Sequence, residues 1–512
     1  EHTKKHSLGK IEPIKIPAEK AKHHNTEHQK SIREQTHKQY SWFKEYCNPN
    51  AKGIKNPFTI SFLIILIGAI YLRLQHFGSE SIWNDAAVHL WWAQKVLTEP
   101  LFFFSQRYIF GDYFLLQPII TLFYIISGDI FLAAKLVALL FSIIGIFAIY
   151  LLASEMRNKT VGLIAAIIMS IHHLLWFYNV RILADAPLAS MVVVSLYLLV
   201  MLEKKRTLLY GILSGISIIL TILVKKQAII LPVALFIYFA IRYRTEIFKD
   251  KSLLACWGIS FAAPIFLALI LIPFLDKNLL YSLFIDKLIL HEGIGSGLSV
   301  LGQLPWIYGW YLIAGTVLGI LIMFIYKLKS YYLPVTITLV YALWFEIGIG
   351  LPYDRYLLPI IPIAIILTAT TIDEICSLVA MIIRNKYIKI FLIIPIVFLI
   401  ISPMYTDGSN LIESKSYSYI GYQEAAAWLE TNAPDEAILY AGSPRPMRAF
   451  TGKEYLLESE QDDPTGLIIN LRNQRFLENQ TLFEEEIAEY SAEGHEIFLE
   501  IDVWEYTQAQ WY

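Results

Sequence analysis

Long apolar runs recur along this chain and constrain its fold more than any other feature. The chain has 512 residues, of which 56% are hydrophobic and 17% charged, and its mean hydropathy is +0.50. Lipid offers no hydrogen bonds, so an apolar segment that crosses a bilayer must be a helix or part of a closed barrel. The segments long enough to cross are approximately 57–76, 130–153, 161–178, 186–202, 207–224, 228–242, 253–274, 301–326, 331–350, 356–380 and 387–403. The sequence therefore predicts a mainly α protein with about eleven transmembrane helices.

The charges of the loops indicate how these segments cross the bilayer. With eleven spans and a cytoplasmic N-terminus, the basic loops at 154–160, 203–206, 242–251, 327–329 and 384–389 all fall on the inner side. This agrees with the positive-inside rule. A twelfth crossing by "YFLLQPIITLFYIISG", residues 113–128, would distribute the basic loops over both sides of the membrane. We therefore expect that segment to lie in the interface or to dip back.

The two ends of the chain differ in charge. Residues 1–55 hold 12 Lys and Arg against 6 acidic residues, whereas residues 405–512 hold 6 against 21. We predict a basic, disordered cytoplasmic tail at 1–56, a transmembrane domain at 57–403 and an acidic extracytoplasmic domain at 404–512. The charged start lacks an apolar core, so we expect no cleavable signal peptide.

The acidic C-terminal part alternates helical and strand patterns, which predicts a small α/β domain with a partly parallel sheet. Asn479 lies in "NQT", an acceptor pattern for N-glycosylation that an external location would expose. A purely structural role and a substrate-handling or partner-binding role are both open for this domain.

Charged residues collect at the outer ends of the predicted helices. Asp85 stands in "SIWNDAAVHLWWAQKVL", and Asp185 follows Arg181 in "VRILADAPL". Lys225 and Lys226, in "VKKQAIILP", face outward against the positive-inside pattern. An unpaired charge is costly in lipid, so these groups indicate a polar cavity for an anionic lipid headgroup.

These residues and "DRYLLPIIP", which contains Arg355, resemble the GT-C superfamily of polyprenyl-phosphate-sugar-dependent glycosyltransferases. Protein O-mannosyltransferases and the lipid A aminoarabinose transferase belong to that superfamily. The four motifs occur in the expected order within 57–403, so the resemblance implies that this transmembrane domain is catalytic. Ala86 stands where many relatives have Glu, and the WWDYG-type signature of oligosaccharyltransferases is absent.

The resemblance implies transfer of one hexose or pentose, with inversion, from a dolichyl or undecaprenyl phosphate to a hydroxyl on protein, lipid or glycan at the outer face of the membrane. It implies that Asp85 is the base, and that Asp185 positions the acceptor or tunes Asp85. Arg355 and Lys225, with Lys226, would bind the donor phosphate. Helix capping by either aspartate, lysine snorkelling and an Arg355–Asp354 pair are the structural alternatives.

Supporting roles are open for Arg181, which could pair with Asp185 or stay at the aqueous edge, and for three further residues. His89 lies at i+4 from Asp85, on the same helix face, although an ordinary interfacial histidine fits equally. His291 and Glu292 lie in a Gly-rich stretch that could fold over the site. Two carboxylates with a histidine could bind a divalent cation, but no metal-ligand motif supports one, and no cofactor is predicted.

Two other classes of protein fit the many helices. A transporter of an anionic or lipid-linked substrate usually holds its charged groups near the bilayer midplane rather than at helix ends. A non-catalytic lipid-binding protein would tolerate loss of Asp85. We predict a multi-pass glycosyltransferase in a prokaryotic cell membrane, with no nucleic-acid partner.

Overall fold

The computed structural model describes residues 56–78, 82–100, 115–271, 300–346, 354–416, 421–434, 437–441, 444–451, 468–470 and 480–500. The chain divides into two compact units, Glu1–Ser61 and Phe62–Tyr512. The described residues of the first unit, 56–61, include the start of the helix that begins at Pro57. All the site residues considered below belong to the second unit.

Helices account for most of the described residues, as the apolar segments predict. In chain order they are α1 (Pro57–Leu74), α2 (Asn84–Thr98), α3 (Leu116–Ser127), α4 (Ile130–Met156), α5 (Lys159–Ile171), α6 (His173–Asn179), α7 (Asp185–Lys205), α8 (Leu208–Val224), α9 (Ile230–Tyr243), α10 (Lys251–Leu271), α11 (Val300–Ile325), α12 (Tyr332–Trp344), α13 (Ile361–Ile383), α14 (Lys386–Lys415), α15 (Tyr422–Asn432), α16 (Pro444–Thr451) and α17 (Gln480–Ala492). Over the residues that the structure describes, each predicted span falls on one of these helices or on a helix with its adjoining short helix.

The exposed surface of the long helices is apolar. Along α14, the side chains of Phe391, Ile394 and Phe398 are each more than 60% exposed. A long helix that leaves such side chains uncovered has lipid as its solvent. The described residues contain seven helices long and apolar enough to cross a membrane, or eight if the bent pair α5–α6 is one span. The predicted number of eleven spans is not reached by these helices and stays a prediction.

The segment at 113–128 contains α3, which ends at Gly128 with a left-handed φ of 71°. Its 12 residues extend over about 18 Å, which is short of the roughly 30 Å of hydrocarbon. Leu116 and Ile120 are buried, whereas Ile125 and Ile126 are exposed. This length suits a helix that lies in the interface or dips back, and its depth in the bilayer stays a prediction.

The five basic loops come together at one end of the helices. Lys204 at the end of α7 pairs with Glu155 at 2.9 Å, and Arg206 pairs with Asp250 at 3.2 Å. Further contacts at this end are Arg157–Glu374, Lys389–Asp373 at 2.6 Å and Ser330 Oγ to the Met156 carbonyl at 2.9 Å. Asp185 begins the same helix α7, 21 residues long, and so lies about 30 Å away at the opposite end.

The described part of the C-terminal region contains a parallel sheet. Strand β1 (Ile438–Ala441) pairs in parallel with both β2 (Ile468–Asn470) and β3 (Ile497–Glu500), so β1 is central. Its four residues are all buried, as a strand covered on both faces requires. An independent α/β domain in this region stays a prediction.

The helix that precedes this region continues past the boundary predicted at 404. Helix α14 runs unbroken to Lys415, and Tyr405 stacks on Trp176 with ring centroids 5.4 Å apart. Gly408 allows this close packing, because a Cβ there would come within 2.8 Å of the Trp176 ring. The last turns of α14 therefore pack on the membrane helices.

Candidate active site

Asp85 lies in the first turn of α2, where an acidic side chain suits the helix dipole. Trp83 occupies the N-cap position, and no side chain caps the helix. The Asp85 carboxylate instead accepts a hydrogen bond through Oδ2 from Arg355 Nη1 at 2.6 Å. The capping interpretation is therefore wrong for Asp85, which is engaged across 270 residues of sequence. The Asp85 side chain remains 31% exposed and accessible to a substrate.

Arg355 belongs to a short 3-10 helix, Asp354–Ile360, whose first residue is held on both carboxylate oxygens. Asp354 Oδ1 accepts from Tyr178 Oη at 2.8 Å and from the Arg355 backbone N–H at 2.7 Å. Its Oδ2 accepts from Trp306 Nε1 at 3.0 Å. The expected pair between the Asp354 and Arg355 side chains is replaced by these neutral donors, which fix the start of the helix.

Trp306, the donor to Asp354, lies three residues before an interruption of α11. Gly309 has a φ of 67° and a ψ of 156° inside α11, a conformation that a residue with a Cβ adopts only with strain. The Trp306 carbonyl also contacts His173 Nε2 at 2.8 Å. His173 begins α6 just after the 61° bend from α5, so the bent pair α5–α6 and the kinked α11 brace each other beside Asp354.

Two guanidinium groups stack on Trp83. The guanidinium carbon of Arg181 lies 4.9 Å from the Trp83 ring centroid, and that of Arg355 lies 5.4 Å away. Arg181 also lies 3.9 Å from the ring centroid of Phe177. Cation–π contacts of this kind add an attraction that holds both guanidinium groups beside the ring.

A buried ion pair lies beside this cluster. Lys225 Nζ is 2.5 Å from Asp185 Oδ1, and the two side chains are only 3% and 2% exposed. Asp185 begins α7 without capping it, and Lys225 is the C-cap residue of α8, where a cation suits the helix dipole. The Lys225 ammonium lies 4.5 Å from the ring centroid of Tyr356. Asp185 therefore pairs with Lys225, whereas its sequence neighbourhood suggested Arg181 as the partner.

The two ion pairs form one electrostatic cluster. Asp185 and Asp85 both act on the charge of Arg355, and Tyr356 adjoins both pairs. Among the described residues of this cluster, three carboxylates (Asp85, Asp185 and Asp354) accompany three cations (Arg181, Lys225 and Arg355). Such an arrangement can bind an anion by exchanging a carboxylate for it at an arginine.

Other residues predicted for the site lie elsewhere or outside the described part. His89 is fully buried, and its Nδ1 lies 3.1 Å from Gln117 Nε2 of α3, which favours a packing contact over a role beside Asp85. Lys226 is half-buried in the 3-10 helix that follows α8. His291, Glu292 and Asn479 lie outside the described residues. Within the described ranges, no three His, Cys, Asp or Glu side chains converge as metal ligands.

Several residues of the cluster were missed by sequence reasoning. Trp83, Tyr178, Trp306 and Tyr356 are aromatic residues among many, and nothing in their spacing distinguishes them. Arg445, on α16, places Nη1 3.9 Å from Asp85 Oδ1. Because the C-terminal region is acidic overall, nothing in the sequence indicated that Arg445, one of its few cations, reaches the site.

A cleft of about 420 Å³ lies between α2 and the C-terminal region. It is lined by Trp91, Gln94, Lys95, Leu97, Thr98, Tyr124, Glu430, Phe450 and Thr451. Lys95 follows Asp85 by ten residues on α2, so this cleft is displaced from the carboxylate by about 15 Å along the helix axis.

Residues 114–272 match a family model described as dolichyl-phosphate-mannose-protein mannosyltransferase. The matched segment includes Arg181, Asp185 and Lys225, whereas Asp85 and Arg355 lie outside it. No curated protein is similar enough in sequence to match the chain.

Solved structures show the same fold at low sequence identity. ArnT from Cupriavidus metallidurans in the apo state matches with a TM-score of 0.61 and 13% identity, over 81% of this chain and 90% of that chain. ArnT bound to undecaprenyl phosphate matches over the same shares with a TM-score of 0.59 and 12% identity. The oligosaccharyltransferase AglB from Archaeoglobus fulgidus, in complex with an inhibitory peptide and a dolichol-phosphate, matches with a TM-score of 0.53 and 13% identity, over 76% of this chain and 63% of that chain.

The chain therefore has the GT-C fold of membrane glycosyltransferases, as its motifs predict, and its residues 114–272 are similar to dolichyl-phosphate-mannose-protein mannosyltransferases.

Proposed function

We propose that this protein transfers a sugar, with inversion, from a polyprenyl phosphate to an acceptor hydroxyl. One observation carries the proposal: the partly exposed Asp85 carboxylate is held at 2.6 Å by Arg355, next to the buried Lys225–Asp185 pair. This juxtaposes a potential base with cations suited to a phosphate. The lipid phosphates bound by ArnT and AglB support the same donor class.

Asp85 is the proposed general base. In an inverting displacement, the acceptor oxygen forms a bond to the anomeric carbon while the bond from that carbon to the phosphate oxygen breaks. The bonding electrons leave with the phosphate, and the acceptor proton passes to a carboxylate on the opposite face. Asp85 is exposed enough to receive this proton, whereas Asp185 is buried against Lys225.

Arg355 is the proposed ligand of the departing phosphate. Its planar guanidinium suits phosphate oxygens, and it holds Asp85 through Nη1. A donor phosphate that takes over this arginine would free Asp85 to act as a base. Lys225 adds a fixed positive charge close by, and Lys226 follows it at the same helix end.

We place the reaction at the extracytoplasmic face of a prokaryotic cell membrane, with a protein, lipid or glycan as the acceptor. The separation of the site from the five basic loops supports this orientation under the positive-inside rule. In this orientation, the C-terminal region is also extracytoplasmic, on the side of the acceptor.

The test compares the purified wild type with Asp85→Asn, using labelled polyprenyl-phosphate sugars and native membrane extract. The matched control is Asp129→Asn, because Asp129 is an exposed N-cap of α4 and asparagine caps equally well. General base catalysis contributes about 10²- to 10⁴-fold, so transfer by Asp85→Asn should fall by that factor while the control keeps its activity.

Two results would contradict the proposal. Equal transfer by Asp85→Asn and the wild type would remove Asp85 from the chemistry and leave the enzyme class intact. Movement of an intact labelled lipid across a vesicle membrane, without transfer of its sugar, would identify a transporter instead.

A further inference from the structure

The C-terminal region supplies an arginine to the candidate site through α16. This helix packs on α2, the helix of Asp85. The Arg448 guanidinium carbon lies 3.6 Å from the Trp91 ring centroid, and Arg448 is only 3% exposed. A desolvated cation–π contact of this kind is the strong form of the interaction. It anchors α16 against α2 in one position.

Arg445 lies three residues before Arg448 and so on the same side of α16. Its Nη1 is 3.9 Å from Asp85 Oδ1, while Arg355 Nη1 is 2.6 Å from Asp85 Oδ2. One carboxylate is thus flanked by two guanidinium groups, one in tight contact and one loosely placed. Arg445 is 53% exposed, and an exposed pair at this distance contributes little to stability. The contact of Arg445 with Asp85 therefore adds little to the docking of α16, which Arg448 already fixes.

The charge of the cluster indicates what Arg445 would bind. The described carboxylates and cations around Asp85 number three each, and Arg445 is the fourth cation. An exposed guanidinium at the edge of this cluster can attract an anion. Guanidinium groups bind phosphate through two parallel hydrogen bonds, so both arginines beside Asp85 carry a donor group suited to a phosphate.

We infer that Arg445 is a second guanidinium for the phosphate group of a substrate, and that Arg448, stacked on Trp91, positions it. This inference rests on the proposed function. The phosphate belongs either to the polyprenyl donor or to the acceptor. The C-terminal region then completes the site rather than forming a separate structural domain, and its docking on α2 is required for tight binding.

The first experiment measures binding of undecaprenyl phosphate without a sugar to the purified full-length chain. The variants are Arg445→Gln, Arg445→Lys and, as a control, Arg242→Gln, an exposed arginine at the opposite end of the helices. A lost charge-assisted hydrogen bond should weaken binding by Arg445→Gln about 10- to 100-fold. Arg445→Lys should recover part of this loss, and the control should bind as the wild type does.

The second experiment tests the positioning contact with Arg448→Met, which keeps most of the side-chain volume. If Arg448 acts only through Arg445, the double variant with Arg445→Gln should bind no more weakly than Arg445→Gln alone. A merely structural Arg448 would give an additional loss in the double variant, which would overturn its positioning role.

The remaining outcomes separate this inference from the proposed function. Unchanged binding, together with unchanged KM values for donor and acceptor in Arg445→Gln, would overturn the inference alone. A rise confined to the acceptor KM would support it and assign the phosphate to the acceptor. Failure of the wild type to bind any polyprenyl phosphate would overturn the proposed function and the inference together.

Discussion

Separate removal of Lys225 and Asp185 should be far more damaging than their joint removal. The two groups are 2.5 Å apart and at most 3% exposed. Loss of one partner leaves the other charge buried without its nearest counter-charge, which costs about 3–5 kcal/mol. We therefore expect Asp185→Asn and Lys225→Met each to lower the free energy of unfolding by about 3–5 kcal/mol.

The double variant removes both charges of the pair. It loses a hydrogen bond and some packing, so its free energy of unfolding should fall by only about 1–3 kcal/mol, against a sum of about 6–10 kcal/mol for the two single variants. The matched control is the half-exposed pair Arg206–Asp250, with side chains 33% and 31% exposed. The same cycle there should show a coupling of about 0–1 kcal/mol.

The assay is equilibrium unfolding in detergent micelles, followed in parallel by donor turnover. Additive losses at Lys225 and Asp185 would refute the argument that each compensates the charge of the other. Turnover distinguishes structure from chemistry: the stable double variant should remain inactive if Lys225 neutralises the phosphate. Recovery of activity along with stability would reduce the pair to a structural role.

Three further variants probe the supports of the site. Trp83→Ala removes the ring on which two arginines stack, a contact of about 0.5–2 kcal/mol each, so the donor KM should rise at least several-fold; an unchanged KM would refute the stacking role. Tyr178→Phe removes a hydrogen bond to the Asp354 carboxylate of about 1.5–3 kcal/mol, and kcat/KM should fall while the helix content stays constant by circular dichroism. His89→Leu leaves Gln117 without this partner and should lower the free energy of unfolding by about 1–3 kcal/mol, while turnover per folded molecule stays unchanged; a selective loss of turnover would return His89 to the site.

Local properties of the sequence were sufficient to predict the helices and four residues of the candidate site. An apolar run long enough to cross lipid must be helical whatever surrounds it, so most helix positions followed from hydropathy alone. Asp85, Asp185, Lys225 and Arg355 stood out because each places a charge at the end of such a run. The grouping of the basic loops on one side could also be predicted from the sequence, since the charge of a loop depends on the loop alone.

Tertiary structure decided which charge pairs with which. Sequence neighbours suggested Arg181 for Asp185 and Asp354 for Arg355, whereas the structure pairs residues 40 and 270 positions apart. These partners meet because the ends of several helices converge, and the direction of each end depends on bends and kinks elsewhere.

The orientation of α2 could likewise not be predicted from the sequence. The i+4 spacing placed His89 on the face of Asp85, but packing against α3 buries His89 against Gln117 while Asp85 stays accessible. Arg445 had no signal at all, because its role depends on α16 docking against Trp91. Hydropathy and charge are properties of single segments and can be read from them, whereas a site built between segments exists only once they pack.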